Sequence, residues 1–86
     1  MQWVDIRRKL PHQWLVVEAL QARSHAGRRQ LEDISVVGTF EDSETAMRAY
    51  MKLHRGSPNR ELYVVHTDRP ELDIEERSWL GLRAAG

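Results

Sequence analysis

The chain contains no cysteine. Disulfides and thiolate metal sites are thereby excluded, and a reducing cytoplasm is the compartment such a sequence fits. No apolar segment approaches the ~20 residues of a membrane helix. The basic cluster Arg7, Arg8 and Lys9 is followed by Pro11, by an apolar run broken at Glu18, and by no small-residue cleavage site, so no signal peptide is expected. There is no excess of charge of either sign: thirteen Lys/Arg balance thirteen Asp/Glu, unlike the strongly basic balance of most nucleic-acid domains. The glycines at 27, 38, 56, 81 and 86 form no phosphate loop, and no Ser sits on a Gly-flanked elbow. His12, His25, His54 and His66 show neither an i, i+4 pair nor a His-Glu-x-x-His motif. Neither a metal nor a cofactor is expected.

The 86 residues make a single domain spanning 1–86, one that buries about 60–65% of its unfolded surface. The charge is blocked along it: +4 over residues 1–29, −5 over 30–47, +4 over 48–60 and −3 over 61–86. Such blocks make a mixed or dipolar solvated surface.

The longest apolar run is Trp14-Leu15-Val16-Val17-Glu18-Ala19-Leu20-Gln21-Ala22, with Glu18 its only charge. A strand with a neighbour on each side can be apolar on both faces, so this run is read as the central strand. Before it, Trp3, Ile6 and Leu10 recur at helical spacing, and Pro11 ends a short helix over residues 1–10. That helix has no strong N-cap and depends on packing Trp3 and Ile6. Residues 23–29 are polar and read as a hairpin loop, longer than a two-residue turn and mobile at its tip. Residues 30–40 alternate cleanly around Ile34 and Val36 as a second strand, where Gly38 marks a bulge or a close approach. Asp42 or Ser43 caps a helix over residues 43–55, in which Ala46, Ala49, Tyr50 and Leu53 form one stripe, with Met47 and Met51 beside it. Residues 60–67 form a third strand, rich in β-branched and aromatic side chains.

These elements predict an α+β domain. Its β-β-α-β core (13–67) builds a three-stranded antiparallel sheet of order 2-1-3, with a short N-terminal helix and a C-terminal arm (68–86). The second helix is expected to cover Leu15, Val17 and Ala19. The other sheet face, with Trp14, Val16 and Leu20, is too apolar to stay wet. It must be covered by the first helix, the arm or a second copy.

The stretches Gln13-Trp14-Leu15-Val16-Val17, Val37-Gly38-Thr39-Phe40-Glu41-Asp42-Ser43 and Leu62-Tyr63-Val64-Val65-His66-Thr67 resemble short bacterial and archaeal proteins of unknown function. In those, a Trp-led apolar strand precedes a hairpin, a Ser/Asp-capped helix and a Tyr-Val-Val strand. The likeness spans roughly residues 10–67 and implies the β-β-α-β fold without an activity.

For function, the residue types favour a cytoplasmic, non-enzymatic protein-interaction module that forms a two-fold homodimer. The expected contact residues are Trp14, Val16 and Leu20 on the open face and Arg77, Trp79, Leu80 and Leu82 on the arm, since Trp and Arg dominate interface hot spots. The alternative is a nucleic-acid accessory protein using Arg7, Arg8, Lys9, Arg23, Arg28 and Arg29, with Trp3 for stacking. A third reading takes His66-Thr67-Asp68 as a hydrolase-like cluster with His66 as base. The ordinary reading of that stretch is a strand end followed by a turn.

Overall fold

The structure, a computed structural model, describes residues 1–75. Its elements are α1 (Trp3–Lys9), β1 (Trp14–His25), β2 (Arg28–Phe40), α2 (Ser43–Gly56), β3 (Leu62–His66) and β4 (Asp73–Glu75). The apolar run beginning at Trp14 does form the central strand, paired antiparallel with β2 on one side and β3 on the other. Among the described residues the sheet has four strands, in the order β3-β1-β2-β4, rather than three. The expected order of the first three strands is kept inside it. The extra strand is the start of the C-terminal arm: Asp73, Ile74 and Glu75 pair with Gln30, Arg29 and Arg28. One apolar residue in three carries no periodicity, so β4 takes its conformation from the edge of β2 rather than from its own pattern. Farther along the same edge, Met1 and Ile34 exchange two backbone hydrogen bonds of 2.8 Å.

The hairpin corrects a second expectation. Residues 23–29 are not a loop, because Arg23, Ser24 and His25 pair with Gln30, Arg29 and Arg28. The turn is Ala26-Gly27, with φ of 53° and 76°, the mirror-image two-residue turn whose twist matches the strands it joins. The flanking residues are polar because this end of the hairpin runs beyond β3 and stands in water on both faces, not because it is unpaired. Gly38 does lie at a bulge. Val16 pairs with Gly38 and Val17 with Val36, leaving Val37 as the extra residue. A Cβ on Gly38 would come within 2.9 Å of the Phe40 ring, so the glycine leaves room for that ring to fold over the bulge.

The two helices lie on opposite faces of the sheet, and their assignment reverses the expected one. Trp3 and Ile6 of α1 pack with Leu15, Val17, Ile34, Val65 and Leu72. Ala46 of α2 packs with Val16 and Leu62, flanked by Trp14, Phe40 and Val64. The deciding quantity is combined volume, since interiors are close-packed. Because α2 brings Ala46 and Ala49, the strand face beneath it has room for Trp14 and Phe40. Because α1 brings a tryptophan and an isoleucine, the buried strand residues beneath it are aliphatic: Leu15, Val17, Ile34 and Val65. The face expected to await the arm or a second copy is therefore filled by α2. As anticipated, α1 has no side-chain N-cap; Trp3 instead donates its indole N–H to the carbonyl of Arg69 at 2.8 Å. Asp42 caps α2 by accepting the Thr45 N–H at 2.7 Å.

Candidate functional site

Of the residues expected to meet a partner, Val16 is 0% exposed beneath α2. That removes it from any interface. Trp14 is half-buried beside the same helix and meets His66 edge-on, with ring centroids 4.9 Å apart. Leu20 is 58% exposed, on the part of β1 that extends past β3. Arg77, Trp79, Leu80 and Leu82 lie outside the described residues.

The basic residues of the nucleic-acid reading are not gathered together. Arg7 donates through Nε to the carbonyl of Thr67 at 2.8 Å, at the Trp14 end of the sheet. Arg23 lies nine positions farther along β1, roughly 25–30 Å at strand rise. Several are also matched by acids. Arg23 meets Glu32 at 2.9 Å, Arg8 meets Asp5 at 3.8 Å, and Arg29 grips Glu61 with two hydrogen bonds of 2.8 Å. Lys9 is exposed, and Arg28 lies at the hairpin tip.

That Arg29–Glu61 pair is the centre of a polar network across the sheet. Tyr63 donates its hydroxyl to Glu61 at 2.6 Å, and Arg29 also donates to Ser24 at 3.2 Å. The two Arg29 bonds hold the Glu61 carboxyl below its ordinary range, while burial, followed by the Glu61 carboxylate, pushes the Tyr63 phenol up. Glu18 and Arg60 form a second pair, 2.7 Å apart. Both pairs tie β3 or its approach to the hairpin. They are structural clamps, with their hydrogen-bonding capacity directed at each other.

His66, Thr67 and Asp68 do come together, but with a geometry that disfavours His66 as a base. The backbone N–H of Asp68 donates to His66 Nδ1 at 3.0 Å, which places the neutral ring's proton on Nε2 and leaves no free lone pair. Thr67 is buried, and its Oγ1 accepts the Gln13 N–H at 2.9 Å. The stretch ends a strand and starts a turn, closed by the Arg69 N–H on the His66 carbonyl at 3.1 Å. The residue that sequence reasoning missed is His12, whose Nδ1 lies 2.7 Å from Asp68 Oδ1. With fifty-five residues between them, no local spacing signals that contact. Among the described residues no group of three His, Asp or Glu side chains could hold a metal ion. A groove of about 610 Å³ runs between Trp3, Val4, Leu31 and Leu72, and is open to solvent.

What stands out is the outer edge of β3. Among the described residues, no strand pairs with that side. The N–H of Thr67 donates to Gln13 and the carbonyl of Glu61 accepts from Ala19, both in the β1 direction. Backbone groups alternate along a strand, so Tyr63 and Val65 also face β1. Leu62, Val64 and His66 present theirs outward. The strand Leu62-Tyr63-Val64-Val65-His66 contains no Lys, Glu, Asp or Pro, and its register with β1 is free of bulges. The charged residues, proline and bulges that often block edge-to-edge pairing are missing from it.

No protein-family profile, curated protein or solved structure matches this chain.

Proposed function

We propose that this chain is a cytoplasmic, non-enzymatic protein-interaction module that forms a two-fold homodimer. In this reading it stands with the short prokaryotic β-β-α-β proteins that it resembles. The observation that carries the reading is the outer edge of β3: outward N–H and C=O groups on an uncharged strand, with no further strand paired to it among the described residues. Such an edge binds another strand through main-chain hydrogen bonds, with the side chains on either face supplying specificity. The face bearing Trp14 and Val16 is occupied by α2, so the proposed contact lies at the sheet's edge rather than on its face. The pairing of Arg23 and Arg29 with carboxylates favours this reading over nucleic-acid binding.

Light scattering at micromolar concentration tests it. The expected mass is twice the 10.1 kDa of one chain, and a monomer mass overturns the reading. The dimer mass should persist in high salt, since nucleic-acid affinity falls steeply with salt and a main-chain and apolar contact does not. Shortening the chain after residue 76 should preserve it. Collapse to monomer on that truncation would return the contact to Arg77, Trp79, Leu80 and Leu82.

A further inference from the structure

We infer that the partner strand on β3 is β3 of a second copy, in one register, and that the α2 helices of the two copies meet above it through Met47 and Met51. This rests on the self-association just proposed and specifies its geometry.

The register follows from which groups face outward. A two-fold antiparallel pair forms its hydrogen-bonded positions between outward residues only. With Leu62, Val64 and His66 outward, the alignment that uses all three sets Val64 against Val64 of the copy. Leu62 then faces His66 on each side. Shifting the alignment by one pair of residues leaves an end residue without a partner. The His66 carbonyl already accepts from Arg69, and a carbonyl oxygen has a second lone pair to offer. The result is one continuous sheet, with side chains matched face to face: Leu62 and Val64 on the α2 side, Tyr63 and Val65 on the α1 side.

Strand pairing alone falls short of the ~800 Å² per partner that a stable interface buries, so the layer above must contribute. Met47 and Met51 are 46% and 51% exposed, an apolar pair one turn apart on a helix that otherwise shows charge to solvent. Helical spacing puts them with His54 on one flank of the Ala46, Ala49, Tyr50 and Leu53 stripe, which packs on the sheet. The connection from β2 through α2 to β3 joins parallel strands, and the right-handed sense of such crossovers turns that flank toward β3. Strand spacing then sets the two α2 axes roughly 10–14 Å apart, at or just beyond direct helix contact. Long, unbranched methionines suit that gap. The helices run antiparallel, so Glu44 in the first turn of one approaches Arg55 in the last turn of the other.

A chain without cysteine makes the test direct, because a single introduced thiol can form a disulfide only between copies. Directly opposed residues of an antiparallel pair have Cα atoms about 5.5 Å apart, inside the disulfide range. Under mild oxidation V64C should cross-link to a dimer on a non-reducing gel, and V4C, on the exposed side of α1, should not. The double variant Met47→Lys, Met51→Lys changes exposed positions only, and should raise the dimer dissociation constant at least about tenfold. A V64C protein that stays dimeric without cross-linking overturns this geometry and leaves self-association standing. If V64C does not fold, an unchanged dissociation constant in the double lysine variant overturns the geometry equally. A wild type that is monomeric throughout the micromolar range overturns both.

Discussion

Among the described residues, Ala26 is one of two non-glycine residues with positive φ, at 53°, where an L side chain with Cβ crowds the following carbonyl. Asparagine tolerates that conformation and leads at this turn position. Ala26→Asn should therefore raise the unfolding free energy by about 0.5–1 kcal/mol in urea titration. Glu61 carries the residue-scale pH dependence. Its folded pKa lies below the ordinary 4.5 because Arg29 donates to it twice. The stability it contributes is therefore complete above 4.5 and is lost as pH falls through the depressed folded value. Tyr63, raised above its ordinary 10.0, behaves in the opposite sense: its contribution is present below 10.0 and is lost as pH rises through the folded value. Melting midpoints measured from pH 7 to pH 2 should fall less steeply in Glu61→Gln than in the parent chain.

At the scale of elements, the test of the revised fold is Leu72. It is 9% exposed and packs with Trp3 and Ile6, so the approach to β4 is part of the core rather than a free arm. Leu72→Ala should cost about 2–4 kcal/mol by denaturant titration; a value near zero would return the segment to the surface. The sequence made β1 legible because only a doubly paired strand tolerates apolar residues on both faces. It made α2 legible through Asp42 and the Ala46-to-Leu53 stripe, and Gly38 through its break in the pattern. It did not show which helix covers which face. Alternation separates the two faces of a strand without naming what lies on each, and only the joint volumes of Ala46, Trp3, Trp14 and Phe40 decide that. β4 and the His12–Asp68 contact were illegible for a different reason, since each is created by residues far away along the chain. Of the candidate site, the uncharged character of β3 could be read directly, whereas the openness of its outer side depends on the strand order.

For the whole molecule, a dimer that forms only from folded chains gains stability by mass action. The melting midpoint of the parent protein should rise with protein concentration, and that of the Met47→Lys, Met51→Lys variant should be lower at equal concentration; a flat parent curve would argue against dimerisation. The Ala26-Gly27 turn has a consequence in time as well as in shape. It joins His25 and Arg28, three positions apart, so closing it carries the smallest loop entropy in the sheet, and pairing can spread from there toward Trp14 and Phe40. Contacts such as Glu18 with Leu62 must instead wait for the whole of α2 to be spanned. The hairpin should accordingly be formed in the rate-limiting barrier, with β3 arriving after it. Stopped-flow kinetics of Ala26→Asn should show faster folding with an almost unchanged unfolding rate. The outer edge of β3, on which the proposed assembly would depend, then exists only once β3 has docked on the hairpin, so two chains would join through it after folding rather than during it.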